Sequence, residues 1–546
     1  VNLWSIAPEN DLLAVLAAAV ADGVLVEGGS AFALQDWTIL VPTRRAARLL
    51  SRLFLTRSGR RAMVLPRIRP IGDADEEDLA DFAATDDLLP SLTTAGLTHL
   101  LLELVTAWAR RNPQAGLADE IVRWPQQALQ LALSLQHLLN EVETEETGLA
   151  SLPLAYDLEL AGHRAALLDL LDVLVKDLPQ RLGELKRLTP SARRNQVLRL
   201  EARQIASGLR PGPLVAAGST GTNPATRELL QAIALKEHGA VVLPGLDLSL
   251  DEESWAAISP QHPQHAMKSA LDQWQVKRRC VQPLGEKGGP KTGMLSDMMR
   301  PTSMTVDPKP QGTASAAMQD VELVEARDRH EEAHVIALRL RKFIAIEDGR
   351  AALITPDRDL ARRVEAALRQ WNITIDDSGG QRLADQPLGS LLALLIRARL
   401  SGFSSASLLA ILHHPLAHFG TDSHRVKALR EMLDICCFRG LPASQGLDLL
   451  DAKVDAARGR ATDRHAHPML TRLTPQDWEE LKAFAARIHS ALGKSKDGPR
   501  PFGEHVRGIN ETLKNVAAEV AFADGGNAVS LLLEALSEDD VWRRPM

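Results

Sequence analysis

The sequence predicts an α/β protein with two parallel-sheet units, each followed by a helical block. Three observations carry this. Short apolar runs give way to helical spacing at both ends of a long helical stretch. Residues 98–207 and those from Leu388 onward repeat their apolar positions every three or four residues. Between Leu284 and Gln319 the composition shifts to Gly, Pro, Lys, Ser and Met without periodicity, which reads as a linker.

The whole chain frames this reading. It has 546 residues, 45% hydrophobic and 24% charged, with a mean hydropathy of -0.11. Length suggests several domains, and the composition excludes disordered and fibrous classes. There is no run of eighteen apolar residues of the kind a membrane span needs. Val1 to Val20 carries Glu9 and Asp11 in place of a basic flank, so the expected location is the cytoplasm. Cys280, Cys436 and Cys437 are too few for a disulfide framework or a four-thiolate metal site. A net charge of -7 does not announce a nucleic-acid binder, and 4% aromatic residues leave little for base stacking. Local arginines contacting phosphates must carry any such function.

Taken in order, Trp37–Val41 is a strand closed by Pro42 and Thr43, and Arg44–Leu55 is a helix. Ala62–Leu65 is a second strand ended by Pro66, and Gly72–Asp78 is an acidic loop. Residues 91–207 form a helical insertion. Pro213–Ala217 is a buried strand running into Gly218-Ser219-Thr220-Gly221-Thr222-Asn223-Pro224, with a helix over Ala225–Leu235 and a strand at Ala240–Leu243. Past the linker, Val321–Val324, Ala351–Thr355 and Ile373–Asp376 read as strands, and Glu331–Phe343 and Arg358–Gln370 as helices. The expected domains are therefore 1–90 with 208–283, the insertion 91–207, the linker 284–319, a second α/β unit 320–387 and a helical block 388–546.

Several motifs have an ordinary structural explanation. Gly285-Glu286-Lys287-Gly288-Gly289-Pro290-Lys291-Thr292 matches a phosphate-binding P-loop except at Pro290, which has no N–H where the loop needs one, so it reads as solvated linker. An active ATPase using Lys291 is the alternative. Glu480-Leu481-Lys482 with Asp477 resembles a nuclease core, yet Thr474 and Pro475 predict the start of an exposed helix. His413, His414, His418 and His424 are broken by Pro415 and have no acid or thiol beside them. Asp73–Asp78 lacks the glycine of a calcium loop. No catalytic or metal site is expected.

Three strand-to-helix loops remain: Thr43-Arg44-Arg45, the hydroxylic loop with Ser219, Thr220 and Thr222, and Thr355-Pro356-Asp357-Arg358. Hydroxyls, guanidinium groups and helix N-terminal N–H groups together suit phosphates.

With Thr38–Ala46, Leu65–Asp73, Ala216–Gly221, Val242–Asp247, His262-Pro263-Gln264, Leu353–Arg358 and Asp376–Gly380 in this order and spacing, the chain resembles the AddB subunits of AddAB-type helicase–nucleases, in their alphaproteobacterial form. That resemblance implies a superfamily-one helicase-like fold, with RecA-like units 1A and 2A and helical insertions 1B and 2B. It implies a subunit inactive as a motor that binds single-stranded DNA and duplex ends during recombinational repair of double-strand breaks. Thr43, Arg44, Arg45, Ser219, Thr220, Thr222, Thr355 and Arg358 would touch the nucleic acid. An AddA-type helicase–nuclease partner would supply ATP and magnesium. The family's C-terminal nuclease domain and iron–sulfur cluster are not found in the sequence, so a fragment or truncated product is expected. A structural α/β module without DNA affinity is the third possibility.

Overall fold

The computed structural model describes all residues except 60–61, 72–87, 116, 149–169, 305–316, 347–348, 350, 440–446, 448, 494–500, 518–525 and 539–546. The acidic Asp73–Asp78 run therefore lies outside the described residues. The chain divides into two compact units, Val1–Leu323 and Val324–Met546. No helix among the described residues is long and apolar enough to cross a membrane.

The first unit is built on a parallel sheet of six strands: β1 (Leu3–Ile6), β2 (Thr38–Val41), β3 (Arg67–Pro70), β4 (Leu214–Ala217), β5 (Gly239–Pro244) and β6 (Gln282–Pro283). Their spatial order is β3-β2-β4-β5-β1-β6. Alternation along each strand sends side chains to opposite faces, and both faces are covered, as a parallel sheet requires. Ile6, Ile39, Val41, Val215, Ala217 and Val242 meet Leu16 and Val20 of helix α1 (Leu12–Ala21) and Leu50 and Phe54 of helix α2 (Arg44–Ser58). On the other face, Leu40, Leu214, Ala216, Val241 and Leu243 meet Leu229, Leu230 and Ile233 of the helix Pro224–Leu235. Between β3 and β4 the chain runs through helices that include Thr94–Arg111, Pro125–Glu145 and Pro190–Ala206. This is the predicted helical insertion, and it contains a π-helical turn at Val173–Asp177.

The structure departs from the sequence reading at three places in this unit. Ala62–Leu65 is not a strand: Pro66 has no N–H to give, and the ladder starts at Arg67, whose N–H donates to the Trp37 carbonyl at 2.9 Å. Leu3–Ile6, which the sequence reading passes over, pairs with β5 and β6 inside the sheet. The sheet ends at β6, just before the stretch read as linker, and that stretch holds a helix over Pro290–Met298, with Pro290 in its first turn.

In the second unit the helices Arg329–Ile344 and Arg358–Arg369 form as expected, but Ala351–Thr355 and Ile373–Asp376 join no ladder. Val321–Val324, at the boundary between the units, is likewise no strand. The apolar alternation has a different use. Leu353, Ile373 and Ile375 pack under Ala333, Ala337, Val364 and Leu368 of the helix pair, while Ile354 is 96% exposed. One buried side and one solvated side look like a strand in sequence whether or not a neighbour strand exists. Beyond Pro387 the unit is helical, around a core that includes Leu391, Leu433, Phe484 and Leu513.

Candidate nucleic-acid interface

Ligands of parallel α/β sheets bind at the carboxyl ends of the strands. In the first unit this edge carries two of the three predicted loops, and the strand order makes them neighbours because β2 pairs with β4. Their contact is close: a Cβ added to Gly218, at φ +82°, would meet the Pro42 ring at 3.1 Å. Thr43 caps α2, its Oγ1 accepting the Ala46 N–H at 3.1 Å. That leaves Arg44 and Arg45, both exposed, on the first turn of the helix. In the adjoining loop the Ser219 hydroxyl accepts the Gly221 N–H at 3.3 Å, and the Thr220 and Thr222 hydroxyls lie 3.0 Å apart. Thr43, Arg44, Arg45, Ser219, Thr220 and Thr222 thus share one sheet edge.

Sequence reasoning missed Arg227. Gly221, at φ +67°, lets the Arg227 stem pass so closely that an added Cβ would lie 3.1 Å from its Cγ. The Arg227 Nε is shielded from solvent and has no hydrogen-bond partner among the described residues. Pro224 at the first position of its helix places Arg227 on the turn facing the loop, the one signal that could have marked it.

Thr355 and Arg358 belong to the other unit. The Thr355 Oγ1 accepts the Asp357 N–H at 3.0 Å, and Asp357 caps the helix Arg358–Arg369. Arg358 grips Asp377 through two bonds of 3.0 and 2.7 Å and the Gly380 carbonyl at 2.7 Å. The hydrogen bonds to Asp377 hold its guanidinium pKa above the ordinary value. Its cation already serves the Asp377–Gly380 turn.

The other half of the first unit's sheet edge, at β5, β1 and β6, surrounds a cavity of about 520 Å³ that includes Pro8, Gly245, Gln264, Gly289 and Thr292 in its walls. Here the P-loop look-alike is an exposed loop, as its reading as solvated linker expects, but it follows the two-residue β6 and runs into a helix at Pro290. The anion position is filled from within. The Glu9 carboxylate accepts the N–H groups of Gly289 and, at 3.0 Å, of Thr292. The Gly289 bond is the main cause holding the Glu9 carboxyl below its ordinary pKa. Lys291 lies 3.6 Å from Asp320. Both contacts are at the surface: Lys291 and Asp320 are 46% and 82% exposed.

The remaining motifs have structural uses. Arg425 bridges Glu480 at 2.7 Å and Asp477 at 3.0 Å, Lys482 pairs with Asp455 at 3.1 Å, and Asp477 completes a capping box with Thr474. His414 is bonded to the Ser390 hydroxyl at 3.0 Å, and burial lowers its pKa. No group of three metal-ligating side chains occurs among the described residues. Cys436 and Cys437 are buried, and burial pushes their thiols up to about 11 and about 12, which makes them poor nucleophiles. No protein-family model matches the chain, and no curated protein matches it.

Proposed function

We propose that this chain is a helicase-like, motor-inactive DNA-binding subunit acting beside a separate AddA-type helicase–nuclease in the cytoplasmic processing of double-strand breaks. The observation that supports this most is the pairing of the Thr43-Arg44-Arg45 and Ser219–Thr222 loops at one sheet edge, with Arg227 behind them and Glu9 standing where a nucleotide phosphate would go. The first set offers cations and hydroxyls to a phosphate backbone. The second supports the reading that this chain is not itself a motor, with ATP and magnesium acting in the partner.

Salt-dependent binding of an oligothymidine tests the reading. Each phosphate contact on a single strand contributes about 0.7 to the slope of log K against log salt. Arg44→Ala and Arg227→Ala should each lower the slope by about that amount. Absence of salt-dependent binding by the wild-type chain would leave a structural α/β module as the function. Saturable, magnesium-dependent ATP binding would restore the ATPase alternative.

A further inference from the structure

We propose that the outer face of α2 is a docking surface for the phosphate backbone of duplex DNA, separate from the loops at the sheet edge. The helix carries Arg44, Arg45, Arg48, Arg52 and Arg57 and no acidic residue, in a chain whose net charge is -7. Its inner face is occupied, with Leu50 and Phe54 buried in the sheet core. Arg45, Arg48 and Arg52 recur at three- and four-residue spacing, so they form one exposed stripe. Neither Arg48 nor Arg52 has an ion-pair or hydrogen-bond partner among the described residues. Arg57, by contrast, is tied to Asp22 at 3.1 Å, which ends the stripe.

Geometry selects the occupant. From Arg45 to Arg52 the helix rises about 10.5 Å, and one strand of a duplex advances about 3.4 Å per phosphate. The backbone winds around the axis, so its path per phosphate is longer than this axial advance, and the stripe faces about two phosphates of a backbone lying along it. The only ring on α2, Phe54, is 2% exposed, so this face can meet only the backbone, which a duplex presents as a regular row of phosphates. An acidic protein segment could also meet the charge, but it has no fixed spacing to match the stripe.

This inference rests on the chain being a DNA-binding subunit, and the test separates the two. The full chain is titrated with a blunt duplex and with oligothymidine from about 50 to 200 mM salt. The R48A/R52A variant should lower the duplex slope by about 1.8, at about 0.9 per duplex phosphate, and leave the oligothymidine slope unchanged. R48K/R52K should keep the wild-type duplex slope. Unchanged melting temperature would show that the exposed substitutions spare the fold. If wild-type chain binds duplex but R48A/R52A keeps its slope, the stripe is not a phosphate surface and the subunit reading stands. Equal losses on both oligonucleotides overturn the duplex assignment. Loss of polyglutamate binding with an unchanged duplex slope overturns it in favour of an acidic protein. If wild-type chain binds neither oligonucleotide, the subunit reading itself fails.

Discussion

Thr43-Arg44 and Thr355-Arg358 look alike in sequence, each a hydroxyl and an arginine where an apolar run meets a helix, and the molecule uses them differently. The run before Thr43 is β2, paired to β3 along its length and to β4 from Thr38 to Leu40, so the loop sits on a fixed edge beside a second loop of hydroxylic residues. The run before Arg358 joins no ladder, and Arg358 is spent on Asp377 and Gly380. A strand-to-helix junction becomes a presenting edge only when neighbouring strands hold it. Without them its arginine becomes part of the local scaffold.

The largest expected consequence is in backbone protection. Amides of Thr38–Val41 and Leu214–Ala217 should exchange at least about a hundredfold more slowly than those of Ala351–Thr355 and Ile373–Asp376, because ladder amides open only with the sheet. Equal protection would erase the contrast. Next comes the core. Ile39 is fully buried and Ile354 is 96% exposed, so Ile39→Ala should cost about 2–5 kcal/mol. Ile354→Ala should stay within about 0.5 kcal/mol. Denaturant titration of both variants measures this, and a comparable loss at Ile354 would mean that its segment is packed in solution.

A finer test concerns the arginines themselves. Arg358→Ala should speed exchange in the Asp377–Gly380 turn several-fold and leave the DNA salt slope alone, whereas Arg44→Ala should change the slope and leave the turn alone. A lowered slope in Arg358→Ala would give both junctions the same role after all.

The smallest effect lies at the cavity. Because the Glu9 pKa is lower in the folded chain than its ordinary 4.5, its hold on the helix Pro290–Met298 is fully present above about pH 4.5. It is lost as the pH falls through the folded value. Exchange at the Thr292 amide should rise over that acid range in wild type, and Glu9→Gln should remove the transition. The same pH dependence in the variant would assign it to another group.

These contrasts also explain what the sequence could convey. Thr38–Val41, Leu214–Ala217 and Gly239–Pro244 were legible because each is a β-rich apolar run with a turn signal beyond it. β1 was not, since Leu-Trp-Ser-Ile is four residues long and includes a serine whose hydroxyl is used on the Leu246 N–H. β3 alternates arginine with apolar residues and looks like a loop. The loops with Thr43 and Ser219 could be picked out by residue type, but their adjacency depends on strand order, which no local pattern encodes. Glu9 was invisible as an occupant of the P-loop look-alike because 283 residues separate it from Thr292. The second unit misled for the opposite reason: its alternation is real, and a helix pair satisfies the apolar side that a sheet was expected to cover.

The two outer strands of the sheet have one more consequence. β3 ends in Pro70 and β6 in Pro283, so each edge lacks a donor, and β6 offers only two residues to a newcomer. Arg67 is exposed on β3, while Arg69 turns back to Glu201. A seventh strand from another molecule would find missing N–H groups and a positive charge instead of a clean template. The sheet limits its own width, so a concentrated solution of this chain should not polymerise through it.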